Sequence, residues 1–326
     1  MNILVTGGAG YVGGTVATVL MQAGHKVTVL DNLCHSKRNE LPAGVEFVEL
    51  DIADRTPVEA LLRGLKPDGV LHFAALIEAG ESMQRPEIYF RNNTASTLAL
   101  LEAMLATGTQ NLVFSSTAAV YGEPKSTPIP ETADLAPTNP YGESKLLVEH
   151  MLRWFHSIHG FRYAALRYFN VAGSLPGRGE AHEPESHLIP LILDVALGRR
   201  EKILIFGDDY DTPDGTCIRD YIHVADLADA HILALKALTA ADGPSRMIYN
   251  LGNGSGFSVK EVIESARRVT GHAIPAEIKP RRAGDPARLV ASSEQAKLHL
   301  GWKPKHPELD DIIASAWAWQ QQRYTK

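Results

Sequence analysis

The sequence predicts an α/β fold, with a doubly wound parallel sheet in the first half and a smaller mixed α/β lobe after it. Three observations carry this. Short apolar runs alternate with helical patterns as far as residue 170. The runs are nearly continuous in Val, Ile and Leu, as strands covered on both faces must be. A glycine-rich turn joins the first run to the first helix.

In chain order, Asn2–Thr6 reads as the first strand and Val12–Gln22 as the first helix. Lys26–Leu30, Val45–Leu50, Gly69–Phe73, Asn111–Ser115 and Tyr163–Tyr168 read as the next strands, bounded by turn residues. Val58–Leu65, Glu87–Ala106 and Tyr141–His156 read as helices between them. This βαβ order is Rossmann-type, and such sheets bind ligands outside the carboxyl ends of their strands. After Asn170 the rhythm breaks. Gly173–Pro190, rich in Gly, Pro, Glu and His, reads as a loop or lid. Helices follow near Leu188–Leu197, Val224–Leu238, Ser258–Thr270 and Leu309–Gln321. We expect a Rossmann domain over residues 1–172 and a second lobe over 173–326, with Met247–Asn250 able to return to the first.

The length of 326 residues suits two lobes and a large core. A net charge of −6 disfavours nucleic-acid backbones and anionic membranes as partners. No apolar run reaches the roughly 18 residues of a membrane span. The two cysteines, Cys34 and Cys217, have neither metal-ligand nor disulfide-framework spacing, and no metal site is expected. With no leader-like segment before the first strand, a cytoplasmic protein is expected.

In the turn Gly7-Gly8-Ala9-Gly10-Tyr11-Val12-Gly13, Gly7 permits the tight bend and Gly10 lets a pyrophosphate approach the backbone. Gly13 allows close helix–strand packing, and the helix start offers free N–H groups to phosphate. Asp31 ends the second strand 18 residues after Gly13, where a carboxylate can take both adenosine ribose hydroxyls and repel a 2′-phosphate. The cofactor expected is therefore NAD rather than NADP, although Lys37 and Arg38 stand nearby. Asp51, after the third strand, is placed to meet the adenine edge.

Asn139 and Pro140 read as the N-cap and first residue of a helix. Tyr141 and Lys145 then lie one turn apart on one face. A tyrosine, with its ordinary pKa near 10, needs adjacent positive charge to act as a base at neutral pH. Lys145 is expected to lower that pKa. Thr117, at the end of the fifth strand, can hydrogen-bond a reacting oxygen; it can equally cap a nearby backbone amide.

These features resemble the extended short-chain dehydrogenase/reductase family and, within it, the UDP-glucose 4-epimerases. The likeness runs through Thr6–Gly13, Asp31–Ser36, His72–Ala75, Gly80-Glu81-Ser82, Phe114–Gly122, Tyr141–Lys145, Leu166–Gly173, Ile218–Asp226 and Pro280–Asp285. It implies that Tyr141 takes the sugar 4-OH proton while the C4 hydride passes to a tightly held NAD. The 4-keto sugar then turns and takes the hydride back on its other face. Further cofactor contacts implied are Tyr11, Val12, Asn32, Ser36, Ile52, Phe73, Ala75, Asn92 and Ser115, with Tyr168 and Phe169 near the nicotinamide. The implied contacts of the UDP-sugar are Thr117, Asn170, Leu188, Arg219, Arg282 and Asp285. Arg219 and Arg282 suit the diphosphate, and Asp285 the uridine ribose. A homodimer is implied, with the helices bearing Leu98, Leu101, Leu105, Leu147, Met151 and Phe155 paired across it.

Three positions depart from the family pattern. Ile77 stands where some members have a lysine, His187 where an asparagine is common, and Leu289 at a position whose bulk gates N-acetylated sugars. Related 4,6-dehydratases need an acid–base pair after the threonine, but Ala118-Ala119 follow Thr117 here. Decarboxylating members carry a glutamate in the same stretch. A 4-epimerase of N-acetylhexosamine, pentose or uronate nucleotides remains an alternative, as does a non-catalytic NAD-binding regulator.

Overall fold

The structure is a computed structural model that describes residues 1–282 and 285–324. Ala283 and Gly284, within the Pro280–Asp285 segment, lie outside the described residues.

The first half runs β1 (Asn2–Thr6), α1 (Tyr11–Gln22), β2 (Lys26–Asp31), β3 (Glu46–Glu49), α2 (Arg55–Leu65) and β4 (Gly69–His72). Two single turns follow, α3 (Ala79–Ser82) and α4 (Pro86–Tyr89), then α5 (Ser96–Thr107), β5 (Asn111–Thr117), α6 (Pro140–His159) and β6 (Arg162–Tyr168). The second half contains β7 (Asn170–Ala172), α7 (Leu188–Ala196), β8 (Ile203–Phe206), β9 (Ile218–Arg219), β10 (Tyr221–His223) and α8 (Val224–Thr239). It ends with β11 (Arg246–Leu251), β12 (Phe257–Ser258), α9 (Val259–Thr270), β13 (Ala276–Lys279), β14 (Arg288–Leu289), α10 (Glu294–Leu300) and α11 (Leu309–Tyr324).

Among the described residues, seven strands form one sheet in the order β11-β6-β5-β4-β1-β2-β3, with every neighbouring pair parallel. The Rossmann-type fold is the one the alternating pattern predicts. Because β2 and β3 build out from one side of β1 and β4 from the other, the glycine turn after β1 lies at the point where winding reverses. One core, with Val5, Leu20, Val29 and Leu71, includes Leu227, Leu235, Met247 and Trp302 from the second half. Strand β11 and helix α8 thus return to the first lobe. The other lobe has its own core of Ile192, Leu193, Val262, Ile263, Ile312 and Ile313. No described helix is long and apolar enough to cross a membrane.

One element differs from expectation. Glu87–Ala106, predicted as a single helix, is α4, a π-helical turn over Phe90–Ala95, and α5. At this turn Asn93 accepts from the Leu76 amide at 2.8 Å and donates to the Leu76 carbonyl at 2.9 Å. A side chain that serves another segment's backbone in this way carries no periodic signal.

Helix α6 positions the site. Asn139 caps it, accepting from the Gly142 amide at 2.9 Å, and Pro140 opens it. Its phase against the sheet is set by Glu149, which accepts from Arg167 Nε at 2.9 Å, from Arg167 Nη2 at 2.6 Å and from Ser116 Oγ at 2.6 Å. Both charged side chains are nearly inaccessible, at 3% and 4% exposure. Breaking such a pair leaves an uncompensated buried charge. Glu149→Gln is therefore expected to cost about 3–5 kcal/mol, read as a lower urea midpoint; an unchanged midpoint would remove this pair from the stability argument.

Candidate active site

A cleft of about 390 Å³ opens along the carboxyl ends of β1, β2, β4 and β5. All the cofactor residues expected from sequence line it: Gly7, Gly10, Tyr11, Val12, Gly13, Asp31, Asn32, Ser36, Asp51, Ile52, Phe73, Ala75, Asn92, Ser115, Tyr141, Lys145, Tyr168 and Phe169. Of the expected substrate residues, Thr117, Asn170 and Arg219 line it; Leu188, Arg282 and Asp285 do not. Leu188 opens α7 and packs on the second core. The Arg282 guanidinium lies over the Phe206 ring, 3.9 Å from its centroid. Asp285 joins the site indirectly, by accepting a hydrogen bond from Arg219.

The glycine turn fits a dinucleotide. Gly7 has φ +71°, and a Cβ there would stand 2.4 Å from the Ala74 amide nitrogen. A Cβ at Gly13 would stand 2.3 Å from the Gly7 carbonyl oxygen, so only glycine lets α1 begin this close. A Cβ at Gly10 would meet nothing nearer than 3.4 Å, which leaves open space above the helix start for phosphate. The buried Asp31 carboxylate accepts from Ala9 N at 3.1 Å and Leu33 N at 2.9 Å, and burial raises its pKa against those two bonds. Asn32 donates to Asp51 at 2.8 Å, fixing the cleft wall beyond Asp31.

At the other end stand Tyr141, Lys145, Thr117, Ser115 and Tyr168. Burial raises the Tyr141 phenol and the neighbouring Thr117 hydroxyl draws it down. That hydroxyl also accepts from the Ala119 amide at 3.2 Å, so the capping and the phenol contact coexist. Burial lowers Lys145 to about 7. Its ammonium donates to the Ser115 carbonyl at 2.9 Å and lies 5.0 Å from the Phe114 ring centroid. The Thr117 hydroxyl draws the phenol down in the protein alone, and the Lys145 ammonium, anchored on the Ser115 carbonyl, stands one helical turn from Tyr141. Tyr168 and Ser115 join through their hydroxyls.

Leu289, Ile77 and His187, the three positions that depart from the family pattern, all face the cleft. So do Ala118 and Ala119. Sequence reasoning missed Glu180 and His182, which also line it and come together with His187. The spacing Glu-x-His-x4-His in an irregular loop matches no helical ligand pattern, and the expectation of no metal site rested on the cysteines alone. Arg178 was missed too. It donates to the carbonyls of Ala9 at 3.1 Å and Gly10 at 2.6 Å, strapping the loop after β7 across the glycine turn.

Comparison with known proteins gives the family and the same fold. The model of the NAD dependent epimerase/dehydratase family matches residues 3–252. The UDP-glucose 4-epimerase of Streptomyces lividans is 55% identical over 317 residues, covering 97% of this chain and 95% of that protein. That of Halalkalibacterium halodurans is 53% identical over 324 residues, covering 99% and 96%. The crystal structure of the Stenotrophomonas maltophila UDP-glucose-4-epimerase, with bound NAD and formylated UDP-arabinopyranose, superposes with a TM-score of 0.96 at 42% identity, covering 100% of this chain and 99% of that one. The chain belongs to the NAD dependent epimerase/dehydratase family and, within it, to the group of the UDP-glucose 4-epimerases.

Proposed function

We propose that this enzyme interconverts UDP-galactose and UDP-glucose at C4, with Tyr141 as the base. The observation that carries the reading is that Tyr141, Lys145 and Thr117 line one end of a dinucleotide cleft together with Ala118 and Ala119. Two alanines can neither give nor take a proton, so the surroundings allow removal of one hydroxyl proton and its return, not a dehydration.

NAD, held along Gly7–Gly13 and Asp31, supplies when bound a two-electron acceptor and donor for sugar C4 and, oxidised, a positive charge beside the phenol. Tyr141 accepts the 4-OH proton and gives it back. Thr117 orients the phenol and the reacting oxygen. Lys145 anchors to the Ser115 carbonyl and holds a cation under the site when protonated. Arg219, oriented by Asp285, pairs with a diphosphate oxygen. Arg282 serves the same diphosphate from the Phe206 side, Asn170 lies against the sugar, and Leu188 closes the uridine end. Leu289, Ile77 and His187 tune which sugar is accepted. The strapping of the glycine turn by Arg178 supports a cofactor retained through the cycle. Both cysteines are free, and we assign the enzyme to the cytoplasm.

Helices α5 and α6 support a homodimer. Leu98 and Leu105 on α5, and Trp154 and Ile158 on α6, are exposed, the last two at 58% and 67%. Leu101, which the periodicity grouped with them, is fully buried in the monomer's core and stands outside such an interface.

Purified protein with no NAD added is expected to convert UDP-galactose to UDP-glucose; chromatography showing no product despite bound cofactor overturns the reading. Tyr141→Phe is expected to lower kcat by about 10²–10⁴ at unchanged NAD content, and near-normal turnover would remove Tyr141 from the mechanism. Light scattering should give twice the monomer mass, and Trp154→Glu should shift it to one; a wild-type monomer refutes the dimer.

A further inference from the structure

Glu180, His182 and His187 each point one ligand atom into a common space, all within 4.8 Å of one another, in the strap that runs from β7 to α7. We propose that these three side chains bind one divalent first-row transition-metal ion, with Zn²⁺ as the probe.

The donor set is the first reason. Two imidazoles and a carboxylate suit Zn²⁺ and its neighbours, and three protein ligands leave a fourth position for water. The groups behind them are the second. His187 Nδ1 lies 2.8 Å from Glu185 Oε1, which fixes the ring and leaves Nε2 free to coordinate. Glu180 Oε1 accepts from the amides of Ala181 at 2.9 Å and His182 at 3.2 Å, so the carboxylate is held before any ion arrives. The third reason is that two of the ligand atoms already stand together: His182 Nδ1 and Glu180 Oε1 form an ion pair at 2.6 Å, in which a cation can take the place of the imidazole proton.

A tetrahedral ion with ligands about 2.0–2.1 Å away spaces them at roughly 3.3 Å, so no pair draws in by more than roughly 1.5 Å and the His182–Glu180 pair, at 2.6 Å, opens by roughly 0.7 Å. Side-chain rotation in an irregular loop supplies that. The backbone is already pinned: Trp319 Nε1 donates to the Glu180 carbonyl at 2.8 Å and Arg323 to that of Ala181 at 3.2 Å. The ion would clip the strap where it borders the cofactor cleft. The inference concerns metal binding alone and stands or falls separately from the epimerase reading.

Tag-free protein, stripped with chelator, re-equilibrated with Zn²⁺ and gel-filtered, should carry one zinc per chain by mass spectrometry. His182→Gln/His187→Gln should carry none, while retaining the circular dichroism of the wild type. Zn²⁺ should raise Tm by a few degrees in the wild type only. Equal zinc in both proteins, or none in the wild type, overturns the proposal. Should the double variant lose its fold, Co²⁺ loaded into the wild type decides: visible d–d bands without thiolate charge transfer support the site, and their absence refutes it.

Discussion

Everything at the reactive end of the cleft depends on how helix α6 is clamped to the sheet, and the clamp is the Glu149–Arg167 pair. Tyr141, Lys145 and Glu149 occupy one stripe of the helix at successive turns. Fixing the third fixes the other two. Arg167 passes the constraint on, donating to the Tyr121 hydroxyl at 2.9 Å, which in turn donates to Asn250 at 2.7 Å. The chain of bonds reaches from α6 through β5 and β6 to β11. A slip of α6 by one residue would rotate the stripe by about 100°, leave two charges unpaired and carry Tyr141 away from Thr117. Stability and placement of the reactive groups are here one interaction.

That placement carries an electrostatic cost. The phenol and the ammonium lie deep enough that burial drives both toward their neutral forms, Tyr141 upward and Lys145 down to about 7. Charge brought beside them acts across a low-dielectric medium, where it is worth several times more than in water. A site so arranged is quiet alone and responsive once a cation stands next to the phenol. The single Thr117 hydroxyl can bias the phenol but cannot replace such a charge.

How much of this the sequence revealed follows from which interactions are local. Strands β1, β2, β4, β5 and β6 are legible because they are buried on both faces, and helices α1 and α6 because glycine and proline mark their starts. The glycine turn, Asp31, Tyr141 and Lys145 are legible for the same reason: each sits at a fixed offset from an element boundary. Glu149 and Arg167 carry no signal as a pair, since nothing local shows that they face each other. Arg219 and Asp285, 66 residues apart, are invisible as a pair for the same reason. The π-turn at Phe90–Ala95 escapes because it serves Asn93 rather than a periodic face.

The second half of the chain is not a detachable cap. Strand β11 extends the sheet beside β6, and Trp302, fully buried in the first core, donates from Nε1 to the Asp226 carbonyl at 2.9 Å. The Asp226 carboxylate accepts the amides of Lys305 and His306 at 2.8 and 2.9 Å, which ties the approach to α11 onto the start of α8. Trp319 and Arg323 on α11 then hold the strap whose Arg178 grips the glycine turn. The route runs from sheet to α8, to α11, to the strap, and back to the first turn of α1. A chain that closes on itself in this way holds the cleft's far wall to the sheet at several points. Opening the cleft for cofactor exchange would therefore require parting the strap from α1, not swinging one lobe on a hinge.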